Sequence, residues 1–294
     1  ALILDTLFGE PRWLWDRVPH PAVMMGRAVG WGDDTLNNGT ARQLKGTFLM
    51  LGLAILAIVI GLVLQQFGWI VEALVAAILL AHRSLITHVE AVADALRLSL
   101  AGGRNAVALI VGRDTEQMDA PAVSRAAIES AAENFSDGVI APAFWFLIFG
   151  LPGVLLYKIT NTADSMIGYR TPKHEAFGWA AARFDDVLNW IPARLTALLI
   201  AVTQGQIANW HSIKADARLH RSPNAGWPEA ALSRGLDVAL SGPRAYDGQM
   251  RDFPYVNPNG HRNVRPDDIA AANTGLWRAW ALTVGILLFA HVIA

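Results

Sequence analysis

The sequence contains no cysteine, and only 17% of its 294 residues are charged. The lack of cysteine excludes a disulfide framework, a thiolate zinc site and a cysteine nucleophile. The formal net charge is −1, so there is no basic field to attract nucleic acid, which is not an expected partner. Neither a His-Glu-x-x-His helix motif, a P-loop nor a G-x-S-x-G elbow occurs, which argues against a zinc hydrolase, a P-loop nucleotide enzyme and a serine hydrolase.

Hydrophobic residues are abundant, at 53% of the chain against about 45–50% in soluble proteins. The uncharged run from Gly46 to Leu64 is long enough to cross the roughly 30 Å hydrocarbon core of a bilayer. The full set of apolar segments lies at about 46–64, 68–81, 139–157, 187–203 and 279–294, with polar regions at 82–138, 158–186 and 204–275. The sequence therefore predicts an all-α, polytopic membrane protein that forms a single membrane-embedded domain over residues 1–294.

One apolar segment is not a simple span. Val139 to Tyr157 carries no charge, yet it contains Pro142, Gly150, Pro152 and Gly153. Broken apolar helices are tolerated at membrane depth where they line a cavity. A kinked or re-entrant element is expected here.

Glycine, proline and helix-capping residues give further local predictions. An amphipathic helix is expected over 84–100, ended by the Gly102-Gly103 pair and followed by a short extended run at 106–111. Another helix is expected from Pro121 to about residue 135, because proline suits a first helical turn and Asp119 stands just before it.

The first polar block places Arg125, Glu129, Glu133 and Asp137 at steps of four residues, hence on one helical face. Three carboxylates in a row repel one another unless a cation or a proton intervenes, and hard oxygen ligands suit Mg²⁺. The alternative is a solvated face with an Arg125–Glu129 pair. Because the row runs directly into an apolar segment, a metal or substrate site is favoured.

The second polar block places three polar side chains on one helical face and two on the next. They are Asn161, Asp164 and Ser165, followed by Asp185 and Asn189. The pair Asp185-Asp186 at a membrane edge is costly without a metal or arginines, and Arg183 and Arg194 are near in sequence. A charge-compensated structural network explains the same pattern, and both interpretations stay open.

The third block is a turn leading into a helix, from Ser222 through Asn224 and Gly226 to Pro228 and Glu229. Backbone N–H groups at such a junction form an anion-binding nest that the helix dipole reinforces. A plain turn accounts equally well for these residues.

These blocks also carry a family resemblance. The runs GRDTEQMD, AIESAAENFSDGVIAPAFW, YKITNTADSMIGYR, FGWAAARFDDVLNWIPARLTALL and SPNAGWPEAA, with the opening LDTLFGEPRWLWDRVPHPAVMMGR, closely resemble the adenosylcobinamide-phosphate synthase family, called CobD or CbiB. The likeness extends from Leu4 to about Tyr255. Long mixed strings in the family's order are far more specific than a short motif.

The resemblance implies a multi-pass enzyme of the prokaryotic cytoplasmic membrane. It implies use of ATP and Mg²⁺ to join adenosylcobyric acid to an amino-alcohol phosphate, giving adenosylcobinamide phosphate. The expected partners are therefore the corrinoid, the amino-alcohol phosphate and the lipid bilayer, together with a second copy of the chain or other membrane-bound cobamide-assembly enzymes. The site is expected to face the cytoplasm, with all three polar blocks in one cavity.

We assign roles to individual residues by matching the polar blocks to the chemistry that the resemblance implies. The expected Mg²⁺ ligands are Glu129, Glu133 and Asp137. The expected catalytic residues are Glu129, Glu133, Asp164, Asp185 and Asp186. The expected substrate-binding residues are Asn134, Asn161, Ser165, Arg170, Arg183, Asn189, Arg194, Ser222, Asn224 and Gly226.

Two other functions fit the same residues. A remotely similar family of membrane regulators shares the general build, and a transporter would also place acidic and amide groups between broken helices.

Overall fold

The computed structural model describes residues 1–9, 11–246 and 248–293, and the chain divides into two compact units. Unit 1 comprises Ala1–Arg83 and Asp137–Trp190. Unit 2 comprises Ser84–Ser136 and the remainder of the chain from Ile191. The expectation of a single domain over 1–294 concerns both units together and stays a prediction.

Most of the described chain is helical. The helices are α1 Leu2–Phe8, α2 Arg12–Trp15, α3 Pro21–Leu36, α4 Arg42–Gln65, α5 Trp69–Leu79, α6 His82–Leu98, α7 Leu100–Val107, α8 Ala120–Phe135, α9 Ala141–Ile167, α10 Trp179–Leu188, α11 Trp190–Thr203, α12 Trp210–Ala217, α13 Gly226–Leu236 and α14 Pro266–Ile293. A π-helical turn covers Ser136–Ile140 and a 3₁₀ turn covers Ile207–Asn209. Two short antiparallel pairs join β1 Leu240–Ser241 to β4 Tyr255–Val256, and β2 Arg244–Tyr246 to β3 Gln249–Arg251.

Four helical stretches are long and apolar enough to cross a membrane. They are Arg42–Gln65, Trp69–Leu98, Ala120–Ile167 and Pro266–Ile293, and the helices on either side of Asn189 add a fifth if they act as one span. The predicted apolar segments fall within these stretches, except for Gly68, which precedes α5, Asn189, which lies at the bend, and residue 294, which lies outside the described residues. The all-α, polytopic membrane fold is thus confirmed.

The predicted kink lies inside α9, at Gly150. This residue has φ 62° and ψ −147°, outside the helical region, and Pro152 follows without an N–H to donate. Helix α4 packs against the break so closely that a Cβ atom on Gly61 would lie 2.5 Å from the Cα atom of Pro152. The absence of a side chain at Gly61 is what permits this contact within unit 1.

Replacing Gly61 by alanine is expected to destabilise the protein by about 1–3 kcal/mol, because the added methyl group meets backbone atoms that cannot move aside. Gly52→Ala is the matched control. It lies on the same helix with nothing within 4 Å of a Cβ atom, so only the gain in helix propensity of up to about 1 kcal/mol applies. Thermal unfolding in detergent measures both, and equal midpoints for the two variants would contradict the contact.

The glycine pair after α6 does not end the helical region, contrary to the sequence prediction. Helix α6 ends at Leu98, and the Ser99 hydroxyl accepts a hydrogen bond from the Gly102 N–H at 3.0 Å, which starts α7. Gly102 and Gly103 therefore lie within a helix, where the missing side chain of Gly103 lets it pack against Leu96. The extended run predicted at 106–111 is the end of α7 and a turn.

The start of α8 is as predicted. Asp119 accepts a hydrogen bond from the Ala122 N–H at 2.8 Å, Pro121 occupies the first turn, and the helix ends at Phe135.

The loop between α9 and α10 is fastened to α3 by Asp33. The Asp33 carboxylate accepts hydrogen bonds from Lys173 at 2.7 Å, from Asn37 at 2.7 Å and from His174 at 3.1 Å. Burial opposes ionisation of Asp33, but these hydrogen bonds outweigh it and lower its pKa to about 2. The loop between two helices that carry polar site residues is thereby held in place.

Candidate functional site

The buried carboxylate of Glu129 organises a charged cluster in unit 2. Its Oε2 atom accepts hydrogen bonds from Arg113 at 2.5 Å and from Arg244 at 3.3 Å, and its Oε1 atom accepts one from the Ser241 N–H at 2.7 Å. Glu129 is only 3% exposed. The Arg125–Glu129 pair considered from the sequence does not form, because Arg125 donates instead to the Arg262 carbonyl at 3.1 Å.

Local backbone geometry presents these partners to Glu129. Arg113 lies in the turn that precedes α8, and Arg244 begins β2. Ser241 has φ 61°, a left-handed conformation that is costly for a residue other than glycine. Arg244 donates to the Ser241 hydroxyl at 3.0 Å, so the strained turn and the arginine support each other.

A cavity of about 240 Å³ opens beside this cluster in unit 2. Its charged lining consists of three arginines and three acidic residues, namely Arg113, Arg125, Arg244, Asp114, Asp119 and Glu129. Two of the acids also hold the backbone, since Asp119 caps α8 and Asp114 accepts from the Gly248 N–H at 2.7 Å. The cavity therefore offers both positive and negative groups to a ligand.

The next turn of α8 carries Glu133 and Asn134, and both residues are exposed. Asn134 donates to the Ser130 carbonyl at 2.9 Å and to its hydroxyl at 3.1 Å. The negative charge of Glu129 and the positive charges of Arg113, Arg221 and Arg244 all act on Glu133. Its carboxylate is thus accessible within an arginine-rich part of unit 2.

A second buried carboxyl group, that of Glu229, lies near this cluster. Its Oε1 atom is 3.7 Å from His220 Nε2, and its Oε2 atom has no hydrogen-bond partner in the described part of the chain. Burial, followed by the charges of Glu129 and Glu133, raises the pKa of Glu229 well above its usual range. Burial also lowers the pKa of His220 to about 4. Burial thus disfavours the charged form of both side chains.

Two backbone donors of the Ser222 turn are already engaged. The Ser222 hydroxyl accepts hydrogen bonds from the N–H groups of Asn224 and Ala225, both at 3.2 Å. Gly226 is required by packing, since a Cβ atom there would lie 2.4 Å from the Ala217 carbonyl oxygen. This geometry favours the plain turn, and phosphate binding by Ser222, Asn224 and Gly226 stays a prediction.

Arg194 is joined to this turn. It donates to Asn224 Oδ1 at 3.1 Å, and its guanidinium group lies 4.8 Å from the centre of the Trp227 ring. Unit 2 thus brings Arg194 and Asn224 together.

Unit 1 contains a separate network of buried polar side chains. Asn189 donates to Asp185 Oδ2 at 2.9 Å and accepts from the Tyr157 hydroxyl at 2.9 Å. The Tyr157 oxygen also lies 3.1 Å from the Asp137 carbonyl oxygen, so its single O–H proton is shared between two acceptors. The Asn161 amide nitrogen lies 3.5 Å from Asp137 Oδ2 and 3.4 Å from Asp185 Oδ1. The predicted i, i+4 pairing of Asp185 with Asn189 is present.

The remaining predicted residues of unit 1 lie at the margin of this network. Asp164 is half-buried and acts electrostatically on Tyr157, whereas Ser165 and Arg170 are exposed. Asp186 is half-buried and lies 3.5 Å from the Arg183 guanidinium. Asp185 points into the network, whereas its neighbour in sequence pairs with an exposed arginine.

The predicted metal triad is not a preformed group. Over residues 1–9, 11–246 and 248–293, no three His, Asp or Glu side chains are grouped so that they could hold a metal ion. Both oxygens of Glu129 already accept hydrogen bonds from arginines or a backbone N–H, and Asp137 belongs to the network of unit 1. The assignment of Glu129, Glu133 and Asp137 to Mg²⁺ stays a prediction. The Mg²⁺ requirement itself, and the prediction that the three blocks share one cavity, stay predictions.

Three residues at the centre of these clusters are not among the site residues that the sequence predicts. Arg113 lies in the GRDTEQMD string, which carries the resemblance, but its partner is 16 positions away. Arg244 is 115 positions from Glu129. Tyr157 ends an apolar run, where its polar hydroxyl was the one available signal.

Comparison with known proteins is consistent along the whole chain. The family model described as CobD/Cbib protein matches residues 1–275. Proteins named "Cobalamin biosynthesis protein CobD" are 46% identical in Brucella anthropi (100% of this chain, 95% of the relative), 49% in Rhizobium meliloti (95% and 91%) and 43% in Rhodobacter capsulatus (98% and 95%). No solved structure matches significantly. The chain therefore belongs to the CobD/CbiB family of cobalamin biosynthesis, as its resemblance implied.

Proposed function

We propose that this protein is an ATP-dependent ligase that joins adenosylcobyric acid to an amino-alcohol phosphate and forms adenosylcobinamide phosphate. The amino-alcohol phosphate is (R)-1-amino-2-propanol phosphate or ethanolamine phosphate. Family membership supports the pathway. One observation supports a reaction that uses phosphate-bearing substrates. The buried Glu129 holds the guanidinium groups of Arg113 and Arg244 beside a cavity, and guanidinium groups bind phosphate.

The chemistry has two steps. The propionate side chain of the corrinoid attacks the terminal phosphorus of ATP, which forms an acyl phosphate and releases ADP. The neutral amine then attacks the acyl carbon, so that an amide bond forms, inorganic phosphate leaves and one proton is released. The protein must therefore hold phosphate charge, orient the amine and accept a proton.

Residues of unit 2 are suited to hold phosphate charge and to accept a proton. Arg113 and Arg244 are fixed before any ligand binds, because Glu129 holds both guanidinium groups. Donors that are already oriented cost little reorganisation when a phosphate-bearing substrate binds. Glu133, one turn further along α8 and exposed to solvent, is our candidate for the proton acceptor.

The network of unit 1 has the donor chemistry of a magnesium site. Asp137 and Asp185 supply carboxylate oxygens, the type of ligand that suits Mg²⁺, and the Asn161 amide N–H groups donate to both carboxylates. When bound, Mg²⁺ would neutralise phosphate charge on the nucleotide. Tyr157 and Asn189 contribute by fixing the orientation of the Asp185 carboxylate.

The test is a nucleotide-release assay with the purified full-length protein in detergent. Given adenosylcobyric acid, (R)-1-amino-2-propanol phosphate and Mg-ATP, it should form adenosylcobinamide phosphate and release ADP. Omission of either co-substrate should abolish the amide product, and chelation of Mg²⁺ should abolish turnover. Well-folded protein that gives neither product nor nucleotide cleavage would favour the regulator or transporter instead.

A further inference from the structure

The cavity of unit 2 has a lining of mixed charge. We call Arg113, Arg125 and Arg244 its arginine group, and Asp114 and Asp119 its aspartate group. Guanidinium groups bind phosphate through parallel hydrogen bonds, whereas carboxylates accept hydrogen bonds from an ammonium group. A ligand that satisfies both groups carries a phosphate and an amine.

The size of the cavity restricts the ligand further. At about 240 Å³ it is smaller than the about 300–1,000 Å³ of sites for drug-sized molecules. A corrinoid is far too large, and a whole nucleotide would in addition bring polyphosphate charge against the aspartate group. A small zwitterion fits both the volume and the charges.

Arg244 supplies a second, independent observation. Its Nε atom is buried, and no acceptor is present for it in the described part of the chain. Its guanidinium group is held 4.9 Å from the centre of the Phe253 ring as well as by Glu129. Buried donors without a partner are rare in native proteins, and a ligand oxygen would satisfy this one.

We infer that this cavity binds the amino-alcohol phosphate as a zwitterion, with its phosphate on the arginine group and its ammonium on the aspartate group. The inference rests on the proposed function and names the place of one substrate. Glu129 is then a positioning residue, which holds two of the arginines without touching the ligand.

Equilibrium dialysis of the full-length protein in detergent, without corrinoid, tests the inference with three probes. (R)-1-Amino-2-propanol phosphate should bind, and isopropyl phosphate, which lacks the amine, should bind at least about tenfold more weakly. ATP should not displace the first probe. Equal binding of the two phosphates, or full displacement by ATP, would overturn the inference.

Variants separate the two ends of the ligand. Asp119→Asn keeps the helix cap, because asparagine caps as well as aspartate, but removes the charge. It should weaken binding of the amino-alcohol phosphate about tenfold and leave isopropyl phosphate unchanged. Arg125→Gln, which lies outside the Glu129 pairs, should weaken both probes. Arg97→Gln, at an exposed ion pair of unit 2 whose residues do not line the cavity, is the matched control and should change neither.

The outcomes also distinguish this inference from the proposed function. Binding that responds to these variants, without any ligation by the wild-type protein, would support the site and refute the ligase. Normal ligation with an unchanged KM for the amino-alcohol phosphate in both Asp119→Asn and Arg125→Gln would refute the site alone.

Discussion

Glu129→Ala is expected to lower the free energy of unfolding by about 3–5 kcal/mol, the typical loss when one member of a buried ion pair is removed. The variant leaves two guanidinium groups, with side chains only 9% and 12% exposed, without their shared carboxylate. The Ser241 N–H also loses its acceptor. Chemical denaturation in detergent, followed by tryptophan fluorescence, measures the loss.

Glu133→Ala is the matched control on the same helix. Its carboxylate is exposed, so the stability should change by less than about 0.5 kcal/mol. Ligation, by contrast, should fall if Glu133 accepts the amine proton.

The double variant Glu129→Gln/Arg113→Gln should recover part of the stability lost in Glu129→Gln, since it removes one uncompensated charge. Additive losses in the double variant would contradict the shared ion pair.

Asp185→Asn is expected to lower the rate of ligation by at least about 100-fold while leaving the fold intact. The substitution keeps the shape of a buried side chain that hydrogen-bonds Asn189, but it removes the negative charge proposed for magnesium binding. The concentration of Mg²⁺ that gives half-maximal activity should rise as well. Steady-state kinetics across a Mg²⁺ series measure both effects.

Asp186→Asn provides the comparison at the next position. Asp186 pairs with an exposed arginine instead of entering the network, so its loss should lower the rate less than about tenfold. Tyr157→Phe tests the support of Asp185, because the missing hydroxyl leaves the Asn189 oxygen without its donor. A shift in the Mg²⁺ requirement in Tyr157→Phe identifies positioning. Equal losses in the two aspartate variants would place the chemistry elsewhere.

Features that depend on local spacing were predictable from the sequence. The cap at Asp119, the proline that starts α8 and the pairing of Asp185 with Asn189 all follow from helical periodicity and capping rules. The kink at Gly150 followed from a proline and glycines within an uncharged run. The Gly102-Gly103 prediction failed because a single serine hydroxyl restarts the helix one residue after the previous one ends.

The partners of the charged residues were not predictable in this way. Glu129 shares a helical face with Arg125, yet it pairs with Arg113 in the preceding turn and with Arg244 on a short strand. Such choices depend on how distant segments pack, which one sequence does not encode in its periodicity. The same limit applies to Tyr157, whose hydroxyl joins Asp137 to Asn189 over 20 and 32 positions.

The kink in α9 also bears on how this helix inserts into the membrane. A break in a helix frees backbone polar groups, and lipid offers them no hydrogen-bond partners. Gln65, at the end of α4, and Glu72, in α5, lie against Gly150 and bring polar atoms to the break. Both helices precede α9 in the chain and are synthesised before it. We therefore expect α9 to insert more stably beside α4 and α5 than it would alone.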